Sequence, residues 1–126
     1  MYEYYNPNPN GKTVSDCVIR AISKALGKSW EETYIELALQ GYLMSDLPNA
    51  NVVWSAYLKN KGFHRDVVSN DCSDCYTIMD FADEHPNGTY IVGTGTHAVA
   101  VVDGIIYDAW RSDNEQPIYF FYKGEN

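Results

Sequence analysis

A hairpin with polar residues near both ends can be recognised in the stretch THAVAVVDGIIYDAW, residues 96–110. Two runs rich in Val and Ile flank Asp103-Gly104, a strong signal for a two-residue type I′ turn. Such a turn places Val99 opposite Asp108. Because side chains alternate along a strand, His97 and Asp108 become diagonal neighbours on one face. We therefore expect the imidazole and the carboxylate to lie within hydrogen-bond reach of each other.

Helical periodicity dominates the first half of the chain and short β-type runs dominate the second. Three helices are expected to begin near residues 16, 29 and 50 and to end at Gly27, Gly41 and Gly62. A short strand over 63–68 and a short helix over 77–84 follow, and then four strands over 90–93, 97–102, 105–109 and 118–122. This order predicts an α+β fold, with N-terminal helices packed on a small C-terminal antiparallel sheet. Residues 1–15 contain Asn, Pro and Gly, and we interpret them as an irregular N-terminal arm.

Length and charge restrict the possible functions. The 126 residues are enough for one domain, 1–126. The chain has 9 Lys and Arg against 17 Asp and Glu, a net charge of −8, which disfavours contact with a phosphate backbone. The sequence contains no apolar run of the roughly 20 residues that a membrane span needs, and no signal-peptide pattern. We therefore expect a cytoplasmic protein with reduced cysteines and with neither a nucleic-acid nor a membrane partner.

Cys17 falls at the start of the first expected helix, directly after Ser15 and Asp16. A helix N-terminus has unpaired N–H groups and a partial positive charge, and both favour a thiolate over a thiol. The same N–H groups can bind the oxyanion of a tetrahedral intermediate. A small buried residue at a helix start would give the same pattern, so Cys17 alone predicts little. Together with His97 and Asp108, however, it predicts a nucleophile, a base and an orienting acid.

Three segments resemble the papain-like cysteine peptidase superfamily, and most closely its small bacterial and phage members. They are DCVIRAI at 16–22, THAVAVVDG at 96–104 and IYDAW at 106–110. The resemblance implies a papain-like domain in which Cys17 is the nucleophile, His97 the base and Asp108 the orienter. It implies a thiol-dependent hydrolase, a cysteine peptidase or amidase, that attacks a peptide, protein or other amide-containing substrate through a thioester. Neither a cofactor nor a metal is required.

Two further residues are candidates for this site. Papain-like enzymes usually place a Gln shortly before the cysteine to complete the oxyanion hole, and none precedes Cys17 here. Asn10 is the best upstream amide to take its place. Trp110 lies on the predicted face of His97, where we expect it to form part of the groove wall and to shield the His–Asp pair from water.

Other interpretations stay open at this point. The same fold without turnover would be a binding module, for example a phage protein that sequesters a host protein or small molecule. The pair Cys72 and Cys75 is half of a zinc site, with His64 and His85 as the remaining imidazoles. It also has the spacing of a redox pair, and two loop cysteines are the simplest interpretation. Alkylation separates the first alternative from an enzyme, because an activated thiolate reacts at about pH 6 whereas an ordinary thiol does not.

Overall fold

The computed structural model of the protein describes residues 1–69 and 76–123. Within these ranges the chain forms four helices and a six-stranded sheet, so the fold is mixed α+β as expected. The helices are α1 (Cys17–Leu26), α2 (Trp30–Leu43), α3 (Asn51–Asn60) and α4 (Ile78–Glu84). The strands are β1 (Tyr2–Tyr4), β2 (Phe63–Val67), β3 (Thr89–Gly93), β4 (Ala98–Val102), β5 (Ile105–Asp108) and β6 (Tyr119–Lys123).

The sheet has the strand order β1-β5-β4-β3-β6-β2. Its strand pairs are antiparallel except for β1 and β5, which run parallel. Two expectations are corrected here. The arm over residues 1–15 is not irregular throughout, because Tyr2–Tyr4 form the edge strand. The sheet is also neither purely antiparallel nor purely C-terminal, since β1 and β2 come from earlier in the chain.

The central hairpin of β4 and β5 has the predicted register. Asp103 and Gly104 both have positive φ angles, 52° and 78°, as a type I′ turn requires. Ala100 pairs with Tyr107, and Val102 pairs with Ile105 next to the turn. The turn chemistry therefore confirms the alignment from which the His97–Asp108 contact was predicted.

Helices cover both faces of the sheet, and each face has its own cluster of buried apolar side chains. Helices α1, α2 and α3 share one cluster with Ala98 and Ala100 of β4. Helix α4 packs on the opposite face, against Val99 and Val101 of the same strand. Because the two alanines are small, as is Ala21 of α1, the helix that begins with Cys17 can lie close to β4.

Two helix ends follow their local sequence signals closely, and a third departs from its signal. Helix α1 ends at Gly27, which has a left-handed φ of 66°, and α2 begins after Ser29, whose hydroxyl accepts the N–H of Glu32 at 3.1 Å. Gly41 does not end α2 as expected, because the helix continues to Leu43. A Cβ at position 41 would lie 2.8 Å from the backbone oxygen of Asp46. This glycine therefore serves the close approach of the following loop to the helix.

Gly93, the last residue of β3, lies against the ring of Tyr119 on β6. A Cβ at position 93 would lie 2.2 Å from Cζ of that ring. Gly95, two residues further on, has open space around it, and the nearest atom to its Cβ position would be Ile118 Cδ1 at 4.0 Å. A side chain is therefore excluded at position 93 but can be accommodated at position 95.

We expect Gly93→Ala to destabilise the protein by about 1–3 kcal/mol, because the new methyl group must displace the Tyr119 ring. Gly95→Ala is the matched control and should change the free energy of unfolding by less than about 0.5 kcal/mol. Urea unfolding followed by tryptophan fluorescence measures both. Equal unfolding midpoints for the two variants would contradict the close contact.

Candidate active site

A cleft of about 170 Å³ opens at the N-terminal end of α1. Its walls come from the start of α1, from Asn49, Asn51 and Trp54 around the start of α3, and from residues 94–98. The ring of Tyr119 closes one side. Two of the three residues predicted to be catalytic, Cys17 and His97, line this cleft.

Cys17 is the first residue of α1 and is half-buried. Asp16 is the N-cap, but its carboxylate makes no capping hydrogen bond. Its oxygens instead accept the indole N–H of Trp30 and an N–H of Arg20. The amide groups of the first helical turn therefore keep their partial positive charge next to the sulfur.

His97 immediately precedes β4 and is held on both sides. Its backbone N–H donates to Thr94 Oγ1 at 3.0 Å, and its carbonyl oxygen accepts the N–H of Thr94 at 2.8 Å. Ring atom Nε2 lies 2.7 Å from Asp108 Oδ2. This confirms the predicted contact between the imidazole and the carboxylate. Because Nε2 is engaged there, Nδ1 is the ring nitrogen left for the thiol of Cys17.

Asp108 ends β5 and is fully buried, with 0% of its surface exposed. Its Oδ2 also accepts the Ser112 hydroxyl at 2.6 Å, and its Oδ1 accepts the N–H of Ala109 at 2.7 Å and two N–H groups of Arg20. Burial alone raises the pKa of this carboxyl group. Hydrogen bonds from His97 and Ser112 and the charges of His97 and Arg20 outweigh it, so the pKa of Asp108 is lowered.

The pKa values of Cys17 and His97 move in opposite directions. Burial raises the pKa of the thiol, but hydrogen bonding to the His97 side chain and to the N–H of Ala98, together with the charges of His97 and Arg20, lowers it overall. Burial lowers the pKa of His97, but hydrogen bonds to Asp108 and Cys17 and their charges raise it to about 9. These shifts favour a thiolate paired with an imidazolium at neutral pH.

Two predicted site residues occupy positions other than those expected. Trp110 does not belong to the cleft lining; its ring packs on His97 from outside, with centroids 4.6 Å apart, and 46% of the residue is exposed. It covers the imidazole, as expected of a shield, but it is no groove wall. Asn10 lies in an exposed turn, where its N–H donates to Asn8 Oδ1, and it is not among the residues that line the cleft. The wall is formed by Trp54 and Tyr119 instead.

The side-chain amides that do line the cleft are Asn49 and Asn51, and sequence reasoning missed both. The Oδ1 of Asn51 accepts the indole N–H of Trp54 at 3.0 Å. An indole N–H can only donate, so this bond leaves the amide nitrogen of Asn51 as the end available to a ligand. Both asparagines stand next to the expected start of the third helix, but the sequence has no signal that brings this start close to Cys17.

The alternative of a zinc site has no support from the described part of the chain. Cys72 and Cys75 lie outside the described residues. His85 Nδ1 is 2.7 Å from the carbonyl oxygen of Phe81, and the ring of His64 packs on Tyr122. Within residues 1–69 and 76–123, no group of three or more His, Cys, Asp or Glu side chains is arranged to hold a metal ion. None of the helices in the same ranges is long and apolar enough to span a membrane.

We expect iodoacetamide to alkylate Cys17 faster than free cysteine at about pH 6, because the lowered pKa leaves more thiolate there. His97→Ala should move the alkylation profile to higher pH, to that of an ordinary thiol. Asp108→Asn should move the profile in the same direction but by less. Without the carboxylate the pKa of His97 is lower, so the imidazole takes the thiol proton less readily. Rates measured by mass spectrometry in a C72S/C75S background report on Cys17 alone. A wild-type profile like that of free cysteine would remove the case for a thiolate.

The chain was compared with protein-family models, with curated proteins and with solved structures. None of the three comparisons found a match. The function of this chain is therefore inferred from its own side chains and their geometry.

Proposed function

We propose that the protein is a thiol-dependent hydrolase, a cysteine peptidase or amidase, with Cys17 as nucleophile, His97 as base and Asp108 as orienter. One observation carries the proposal: a single imidazole hydrogen bonds to a buried carboxylate at 2.7 Å and lines one cleft together with the thiol of Cys17 at a helix N-terminus. A nucleophile, a base and an orienting acid brought together in this way are what covalent catalysis by a thiol requires.

The proposed family is that of the papain-like peptidases. The residue order Cys, His, Asp supports it, as does a layout with the cysteine on a helix and the other two residues at neighbouring strands. We also propose a cytoplasmic setting, since a reducing compartment keeps the Cys17 thiol free for reaction.

The first half of the reaction forms a thioester. The Cys17 thiolate attacks the carbonyl carbon of the substrate, and a C–S bond forms while the carbonyl electron pair moves to oxygen. The backbone N–H of Cys17, at the first position of α1, can donate to this oxyanion. As the intermediate collapses, the C–N bond breaks and the His97 imidazolium gives its proton to the leaving amine nitrogen. For an ester, the alkoxide oxygen receives the proton instead.

The second half regenerates the thiol site. Neutral His97 accepts a proton from water, and the resulting hydroxide attacks the thioester carbonyl. The C–S bond then breaks, the carboxylic acid is released, and the sulfur leaves as a thiolate paired with the imidazolium. The Asp108 carboxylate stays ionised throughout and stabilises the charged ring, which matches its lowered pKa.

The cleft favours an uncharged amide or ester group. Among the described residues that line it there is neither Lys nor Arg. The carboxylate of Asp16 is already held by Arg20 and Trp30, and the other polar groups are mostly amides and hydroxyls. Its volume of about 170 Å³ is smaller than the pockets that enclose drug-sized ligands. A single side chain or acyl group of the substrate therefore fits in the cleft, and the rest of the substrate would lie outside.

We expect p-nitrophenyl acetate to acetylate Cys17, with a burst of p-nitrophenol close to one equivalent of protein. Cys17→Ala should abolish the burst, and His97→Ala should reduce its rate roughly 100-fold or more. The released phenol is followed by absorbance, and peptide mapping locates the acetyl group, again in the C72S/C75S background. Acetylation that does not depend on His97, or that is absent from Cys17, would favour a binding module over an enzyme.

The cleft amide is tested with a matched pair of substitutions. Asn51→Asp keeps an oxygen acceptor for Trp54 but removes the amide donor and adds a negative charge, so it should slow acetylation roughly 10- to 100-fold if this amide stabilises the oxyanion. Asn10→Asp adds the same charge in an exposed turn and should leave the rate nearly unchanged. The opposite order of effects would restore Asn10 as the oxyanion donor and exclude Asn51.

A further inference from the structure

Arg20 is a buried arginine one helical turn after Cys17, and only 5% of its surface is exposed. It does not line the cleft. Its Nε and Nη2 donate to Asp108 Oδ1 at 3.1 and 2.9 Å, and its Nη1 donates to Asp16 Oδ1. One guanidinium group thus holds two carboxylates, one from the N-cap of its own helix and one from β5.

The hydrogen bonds of Asp108 are divided between its two oxygens. Oδ1 accepts the two N–H groups of Arg20 and the N–H of Ala109, whereas Oδ2 accepts from His97 and Ser112. A carboxylate is planar, so fixing Oδ1 by the rigid fork of a guanidinium also fixes the direction of Oδ2. The bonds from Arg20, together with the N–H of Ala109, therefore set the orientation in which the carboxylate presents Oδ2 to the imidazole.

The same contact joins two elements that are far apart in sequence. Cys17 and Arg20 are both on α1, while Asp108 is 88 residues after Arg20. A side chain of the nucleophile's own helix thus binds the acid of the His–Asp pair directly. Any movement of α1 away from β5 must break a buried ion pair, which is costly because it leaves unpaired charges inside the protein.

We propose that Arg20 is a positioning residue of this site, which orients the Asp108 carboxylate toward His97 and ties it to the helix that carries Cys17. The inference rests on the function proposed above and adds a fourth residue to it. Arg20 touches neither the thiol proton nor the substrate. Its charge lowers the pKa of Cys17, and its positioning role is exerted through Asp108.

Charged, titratable and polar groups from several parts of the chain surround this contact. Asp16 is the N-cap of α1, Cys17 is its first residue, and His97 immediately precedes β4. The hydroxyl of Tyr2 on β1 donates to the carbonyl oxygen of Asp108 at 3.0 Å. From α2, the indole N–H of Trp30 holds the second oxygen of Asp16 at 2.8 Å. The carboxylate of Asp16 thus balances the charge of Arg20 and keeps the guanidinium in place.

The test is Arg20→Lys in the C72S/C75S background. Lysine keeps the positive charge but has a single ammonium group in place of the planar fork. We expect the iodoacetamide profile of Cys17 to move up by about one pH unit, a roughly tenfold slower reaction at about pH 6. Arg111→Lys is the control, because it breaks a similar fork to Asp113 (3.0 and 2.7 Å) on an exposed side chain. It should leave the profile unchanged.

A purely structural role for Arg20 predicts a different result. The variant would then unfold at lower urea concentration, yet the folded protein, verified by circular dichroism under the labelling conditions, would react along the wild-type profile. That outcome overturns the proposal. Should Arg20→Lys not fold, the double variant D16N/R20Q takes its place and removes one charge of each sign. The same shift of the alkylation profile is expected from it, and a wild-type profile would again overturn the proposal.

The two proposals fail in different ways. If wild-type Cys17 reacts like free cysteine, the proposed hydrolase is wrong and the role of Arg20 falls with it. If wild-type Cys17 reacts at low pH and the Arg20 variants do so equally, only the positioning role is wrong.

Discussion

A carboxylate without access to water lies at the centre of this structure. Asp108 has no exposed surface, and an ionised group in that position must have its hydrogen-bonding capacity filled by the protein. Its side chain accepts from the imidazole of His97, from Ser112, from the following backbone N–H and from Arg20. These partners come from three parts of the chain, namely α1, the residue before β4 and the loop after β5. The burial of one charge therefore requires that all three are correctly assembled.

Small side chains determine the shape of the cleft as much as the polar groups do. Ala98 and Ala100 let α1 approach β4. This approach brings Cys17, the first residue of the helix, close to His97, which precedes the strand. Gly93 allows the ring of Tyr119 to close the far side. Packing on one face of the sheet thus brings the sulfur of Cys17 and the imidazole of His97 to the same cleft.

The sequence predicted those features that depend on local chemistry. Asp103-Gly104 specifies a turn with two positive φ angles, the turn fixes the register, and the register predicts the contact of His97 with Asp108. The start of α1 at Cys17 was predicted in the same way, from a polar residue before a helical pattern. The catalytic role of the three residues is still a prediction.

Features that depend on tertiary contacts were not predicted. Strand β1 is three residues long and gains its hydrogen bonds from β5, about a hundred residues later, so no periodicity within it could show a strand. Asn51 reaches the cleft because α3 packs on α2 and lies, together with α1, on the same face of the sheet. Nothing around Asn51 in the sequence indicates this. Arg20 lies at helical spacing from both Asp16 and Cys17, a signal that could have been used.

The short strand β1 covers the edge of β5, the strand that ends with Asp108. The backbone N–H of Tyr5 donates to the carbonyl oxygen of Asp108 at 2.8 Å, and β1 occupies the outer edge of β5. A recombinant chain trimmed by its first five residues would leave β5 as an open edge, whose free N–H and C=O groups invite strand addition from a neighbouring molecule. Oligomers of such a truncated protein would reflect the missing edge strand and not a natural interface.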